Sequence, residues 1–139
     1  MNSYRWSDLR VGMTAQFDAV VTDAMMSTFR ELCGDVNPLH SKPEFAARAG
    51  HRAPLVYGLL SSSFYSTLVG VHLPGEFAVL QGIDIDFHRP VYPGDALRVS
   101  GEITFLSEAV RRVELRGVIT DAEQNRVSRA RIRVGLHEH

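Results

Sequence analysis

The spacing of apolar side chains changes period several times along the chain, and each change marks an element. After a turn at Gly12, Val11 to Val21 alternates apolar and polar positions and predicts a first strand. Thr22 is a good helix N-cap and Asp23 suits a first helical turn. Met25, Met26, Phe29, Leu32 and Cys33 then recur at helical spacing up to Gly34, a natural C-cap. Residues 35 to 54 are rich in turn formers, with Pro43 to Ala49 able to form a short helix that has Pro in its first turn. From Leu55 to Leu73 apolar residues fall almost all round a helical wheel, which predicts a buried helix starting at Val56 to Gly58 and stopped by Pro74-Gly75. Alternation returns at Glu76 to His88. A turn-rich connection, Arg89 to Asp95, leads to strands over Ala96 to Leu106, Ala109 to Thr120 and Arg126 to Leu136, joined at Ser107-Glu108 and Asp121 to Asn125.

One strand, a helical region and four more strands, with one helix apolar all round, imply an α+β design: an antiparallel sheet wrapped about that helix. The 139 residues fit one domain, 1–139, with no repeat, linker or low-complexity tract. A sheet curled round one helix in so small a chain leaves its edge strands and part of the helix poorly covered. A homodimer, or a dimer of dimers, is therefore expected.

Composition narrows the classes. A formal charge of −1 argues against nucleic acid or an anionic membrane as the main partner. Cys33 is the single cysteine, so an intrachain disulfide and a Cys-based zinc site are both out. Serines and His72 interrupt the longest apolar stretch, which reads as a core helix and not a membrane span. The first residues, Met-Asn-Ser-Tyr-Arg-Trp, lack the apolar segment of a secretion signal, so a cytoplasmic location is expected.

The chemistry-bearing residues gather before and at the start of the buried helix. Asp35 and His40 lie five positions apart around Pro38, so both side chains can converge on one water, polarise it, and return its proton elsewhere. Spacing alone leaves the plainer reading open: a turn-forming Asp and a surface His. Asn37, before Pro38, has a structural reading as a turn residue. Gly58 at the helix start is either a packing glycine or a backbone N–H donor to a developing oxyanion, which a glycine lets a ligand approach closely. Ser61, Ser62, Ser63 and Ser66 lack the Gly-x-Ser-x-Gly elbow of a serine hydrolase; hydroxyls on such a helix usually bond the carbonyl one turn earlier. His51, His72 and His88 show no metal-ligand spacing. The arginines from Arg111 to Arg133 alternate on the late strands and read as a solvated face, a subset of which could meet a phosphate.

Taken together, Gly34-Asp35-Val36-Asn37-Pro38-Leu39-His40, Phe45-Ala46, Gly58 and the block from Gln81 to Asp95 resemble the MaoC-like, (R)-specific enoyl-CoA hydratase family. The second block is similar to that family's Q-x-x-x-x-F-x-x-P-V-x-x-G-D run, and the resemblance extends from about Val11 to the end of the chain. It implies a hot-dog fold, a dimer, and reversible hydration of a trans-2-enoyl thioester to the (R)-3-hydroxyacyl thioester. It further implies that Asp35 and His40 activate the water, that the Gly58 N–H holds the thioester oxygen, and that Ser66 supports the acid–base pair. Asn37 and Tyr57 are carried as substrate-binding positions. The family usually has His where Tyr57 stands, which bears on the shape of the pocket mouth and on the acyl group accepted. No metal and no redox cofactor is expected; coenzyme A or acyl carrier protein would carry the acyl group. Two rival readings share the fold. One is a hot-dog thioesterase, and the other a non-catalytic acyl-thioester-binding subunit.

Overall fold

The computed structural model describes residues 1–138. Strand β1 (Thr14–Val20) is followed by helices α1 (Asp23–Cys33), α2 (Pro43–Arg48) and α3 (Gly58–Thr67), and then by strands β2 (Ala78–Phe87), β3 (Ala96–Ser107), β4 (Arg112–Thr120) and β5 (Arg126–Leu136). The five strands form one antiparallel sheet in the order β1-β3-β4-β5-β2. The α+β architecture is the one expected, a sheet with a helix packed against it.

Why the sheet can take the helix is visible in one row of cross-strand partners. Ala15 pairs with Gly101, Gly101 with Gly117, Gly117 with Ala130, and Ala130 with Ile85, so a line of small residues crosses four strands before meeting a large one. Tyr65 and Leu68 occupy the space this leaves. A Cβ added at Gly101 would come within 2.6 Å of the Leu68 side chain, and one at Gly117 within 2.6 Å of the Tyr65 ring. On either side of the row the same face carries large core residues, Val99, Ile103, Leu115, Ile119 and Ile132, all buried. The seat is therefore a groove between two apolar ridges. The Tyr65 hydroxyl is satisfied within it by Ser128, 2.9 Å away, and Ser128 is itself fully buried.

Element boundaries differ from the expected ones for local reasons. Strand β1 begins at Thr14 and not Val11, because Gly12 takes a positive φ of 93° and Val11 stays in solvent. Strand β4 begins at Arg112 and not Ala109: the turn extends to Arg111, whose φ of 49° breaks the alternation that Val110 suggested. The long apolar helix divides at Thr67, where α3 passes into a wider, π-type turn over Leu68–His72. It is also not buried all round, since Leu59 is 69% exposed. On the opposite face of the sheet the arginines make a solvated surface. There Arg98 pairs with Asp18 and Arg116 with Glu102.

Candidate active site

Helix α1 delivers the bend that carries Asp35 and His40. Thr22 accepts a hydrogen bond from the Met25 N–H at its start, and Gly34 closes it in the left-handed conformation, its N–H donating to the Arg30 carbonyl at 2.8 Å. The chain then turns on its own side chains. The Asp35 carboxylate accepts from the Asn37 N–H at 3.0 Å, and the Asn37 amide oxygen accepts from the Leu39 N–H at 3.0 Å. Pro38 starts a short 3-10 turn that ends at His40. Asn37 is thus a capping residue, and its structural reading is what the geometry displays.

Two backbone hydrogen bonds then bring the distant motif blocks together. The Leu55 N–H donates to the Leu39 carbonyl at 3.1 Å, and the Val56 N–H donates to the Val91 carbonyl at 2.8 Å. Residues 55–56 therefore lie between the His40 bend and the Pro90-Val91 segment. The latter is anchored in turn by the Val127 carbonyl, which accepts from both His88 and Arg89 N–H groups at 2.8 and 3.3 Å. Val127 is available because the pairing of β4 with β5 shifts between Ile119 and Thr120, leaving it out of the ladder.

The result is a cleft whose walls include His40, Gly58, Ser61, Phe87, Arg89 and Val91. His40 is half-buried and its Nδ1 lies 2.8 Å from the Leu55 carbonyl oxygen. A carbonyl can only accept, so Nδ1 carries the hydrogen and Nε2 presents a lone pair in the neutral ring. Gly58 is the first residue of α3, so its N–H has no partner within the helix and sits at the positive end of the helix dipole. The Gly58 carbonyl, by contrast, receives two hydroxyls, from Ser61 at 3.0 Å and Ser62 at 2.7 Å. An imidazole nitrogen able to accept a proton and a helix-start N–H able to donate to an oxyanion thus share one apolar-walled cleft.

The same chain matches the family model described as the MaoC like domain over residues 9–124. The chain belongs to the MaoC-like family. It is similar to the (R)-specific enoyl-CoA hydratase of Aeromonas caviae, with 37% identity over 100 residues that cover 72% of this chain and 75% of that one. It is also similar to the 3-hydroxybutyryl-CoA dehydratase of Methylorubrum extorquens, with 33% identity over 110 residues that cover 79% of this chain and 70% of that one. The solved structure of the A. caviae (R)-hydratase superposes with a TM-score of 0.88 at 32% identity, covering 93% of this chain and 98% of that one. The hot-dog fold expected from the resemblance is the fold found.

Within this MaoC-like chain the expected site residues are not all brought to one place. His40 and Gly58 line the cleft together. Asp35 is exposed, and its carboxylate is engaged by the Asn37 N–H. Ser66 is exposed on α3, and at eight residues from Gly58 it lies about 12 Å further along the helix axis. Tyr57 differs most from its expected place at the pocket mouth. It is 2% exposed, its ring is stacked under His40 with centroids 4.0 Å apart, and its hydroxyl donates to the Asp35 carbonyl at 2.7 Å. It is a support under the bend. The cleft residues Ser61, Phe87 and Arg89 escaped the sequence reading: Ser61 was one of four equivalent hydroxyls, and the other two lie in a block read only as a family signature. Arg30, which reaches the bend from α1, carried no sequence signal beyond a place in the last helical turn.

No helix among the described residues is long and apolar enough to cross a membrane. Among the same residues, no group of three or more His, Cys, Asp and Glu side chains is placed to hold a metal ion.

Proposed function

We propose that the protein is a hydro-lyase acting on acyl thioesters, which reversibly hydrates a trans-2-enoyl thioester to the (R)-3-hydroxyacyl thioester. The observation that carries this reading is the pairing, in one cleft of a MaoC-like chain, of a histidine whose Nε2 is free to accept a proton with the open N–H at the start of α3. The relatives named as enoyl-CoA hydratase and 3-hydroxybutyryl-CoA dehydratase support it.

In the hydration direction, the thioester oxygen accepts from the Gly58 N–H, which draws electron density from C3. Asp35 and His40 hold a water against C3 and take one of its protons as the C–O bond forms. The C2–C3 double bond opens to an enolate, whose negative oxygen is stabilised at the positive end of α3. The proton is then delivered to C2, so that the elements of one water have been added. Dehydration runs through the same groups in reverse. The carrier is coenzyme A or acyl carrier protein, and the chemistry asks for no metal or redox cofactor.

We also propose a homodimer, able to pair further as a dimer of dimers. Strand β2 is a sheet edge, and Val79, Leu80 and Phe87 on it are 49%, 45% and 52% exposed. Leu59 adds a large exposed side chain on α3. An edge with that much apolar surface requires cover. A cytoplasmic location is part of this reading.

The direct test follows the protein with crotonyl-CoA and longer enoyl-CoAs, measuring loss of enoyl absorbance and release of free thiol. Enoyl loss without thiol release is expected. Thiol release without hydration would establish a thioesterase, and binding without either reaction a non-catalytic subunit. Asp35→Asn and His40→Ala should each abolish hydration while leaving the fold intact.

A further inference from the structure

We infer that Arg30 and Tyr57 form a positioning pair that clamps both ends of the Asp35–His40 bend, and that turnover depends on the clamp. The inference rests on the reading of that bend as the acid–base segment.

The Tyr57 hydroxyl has a single hydrogen, and it is committed to the Asp35 carbonyl oxygen at 2.7 Å. Its lone pair accepts from Arg30 Nε at 3.1 Å. A second nitrogen of the same guanidinium, Nη2, lies 3.4 Å from the His40 carbonyl oxygen. One planar cation and one hydroxyl therefore reach the backbone at the first and last residues of the bend. The guanidinium suits this task because its donors are held in a rigid fork, so fixing one bond orients the other. Among the described residues Arg30 joins none of the ion pairs, which leaves its donors to the bend.

The ring of Tyr57 does a separate job. It lies 25° from parallel with the His40 imidazole at a centroid distance of 4.0 Å, and Phe29 packs against it at 5.0 Å. With Nδ1 held by Leu55 and a flat surface below, the imidazole has little freedom to turn its Nε2 away from the cleft. Tyr57 does not line that cleft. It acts through His40 and Asp35 and not on the substrate.

The test compares wild type with Tyr57→Phe, Arg30→Met and the double variant, using an enoyl-CoA that the wild type hydrates. Tyr57→Phe keeps the stacked ring and removes only the hydroxyl. Each single variant is expected to lower kcat about tenfold with KM within about twofold, since a small misplacement of catalytic groups is costly in rate. The double variant should be slower than either single one but by less than the product of the two effects, because each single change leaves the other end of the bend held while both remove the shared Arg30–Tyr57 contact. Unchanged kcat in both singles overturns the inference, and so does a raised KM at constant kcat, which would place Tyr57 on the substrate. Backbone 15N order parameters over residues 36–41 give a readout independent of turnover, and they should fall in both variants. Were the wild type inactive on every thioester, the hydratase reading would fail, while order parameters unchanged in the variants would separately overturn the clamp.

Discussion

His40 turns its Nδ1 toward the carbonyl oxygen of Leu55 at 2.8 Å, and this one contact decides which imidazole nitrogen can act as a base. Because the Leu55 N–H is in turn held by the Leu39 carbonyl at 3.1 Å, ring and backbone are locked in one local unit. The neutral imidazole is predicted to be the Nδ1–H tautomer. The 15N shifts of the His40 ring, recorded where the ring is neutral, check this directly. An Nε2–H tautomer would contradict the assignment of Nε2 as the proton acceptor.

Gly58 offers a second test. A Cβ built there would lie 3.0 Å from Phe87 Cε1 and 3.1 Å from Cζ, contacts with a half-exposed ring that is able to yield. Gly58→Ala should therefore cost less than about 1 kcal/mol in stability. Ligand approach to the N–H is a different matter, and kcat/KM for enoyl thioester should fall about tenfold or more as one oxyanion donor is obstructed. Urea unfolding and steady-state kinetics on the same preparation separate the two effects. Equal hydration rates in the two proteins would show that the thioester oxygen does not sit at the start of α3.

Much of the fold is legible in the sequence, and the physical reason is local. Thr22, Gly34, Pro43 and Pro74 cap or interrupt elements through their own backbone preferences, so α1, α2 and the end of the helical region lie close to where those residues put them. The strands were legible because one face is buried and the other wet, except where a turn runs on past the alternation, as at Arg111. The site was legible only as two motifs. That the motifs meet depends on non-local hydrogen bonds, Val56 to Val91 and His88 to Val127, which no spacing encodes. The burial of Tyr57 beneath the bend is hidden from the sequence for a related reason. Its neighbour Gly58 faces the cleft, and a side chain beside a cleft residue can point either into it or, as here, beneath the bend.

Tyr65 supplies a pH-dependent prediction. Burial pushes its phenol up to about 12 from the ordinary 10.0, only partly offset by the hydrogen bonds from Ser128 and the Ile119 backbone. In the unfolded chain the phenol ionises near its ordinary value, so between about pH 10 and 12 the unfolded state binds fewer protons than the folded state. Stability is then fully present below pH 10 and lost as pH rises toward 12, by roughly 2 to 3 kcal/mol for a shift of this size. Tyr65→Phe should lower stability at neutral pH by about 1 kcal/mol, because Ser128 loses its partner, yet decline less steeply above pH 10. Urea titrations at neutral and alkaline pH compare the two slopes. Parallel declines would sink the assignment.

The proposed dimer makes a simple demand on β2. Placing a charge at Leu80→Lys, on the sheet edge, or at Leu59→Arg, on α3, should shift the protein toward monomer in sedimentation velocity. Both sites are already exposed in the single chain, so the monomer's own packing should be little altered. Wild type that sediments as a monomer at micromolar concentration would remove the proposal altogether.

The groove of small residues beneath Tyr65 and Leu68 has a consequence for how the chain finds its register. A strand slipped by one position presents its other face to the helix, and a slip of two would bring Val99 or Ile103 to the place of Gly101, and Leu115 or Ile119 to that of Gly117. Either error closes the groove and leaves the helix nowhere to lie. Tyr65 and Leu68 thus fit only where Gly117 and Gly101 face them, so the seat of the helical segment and the register of β3 and β4 depend on each other. The residue at the head of that helix is Gly58, so the position of its N–H, the proposed oxyanion donor, depends on the same alignment.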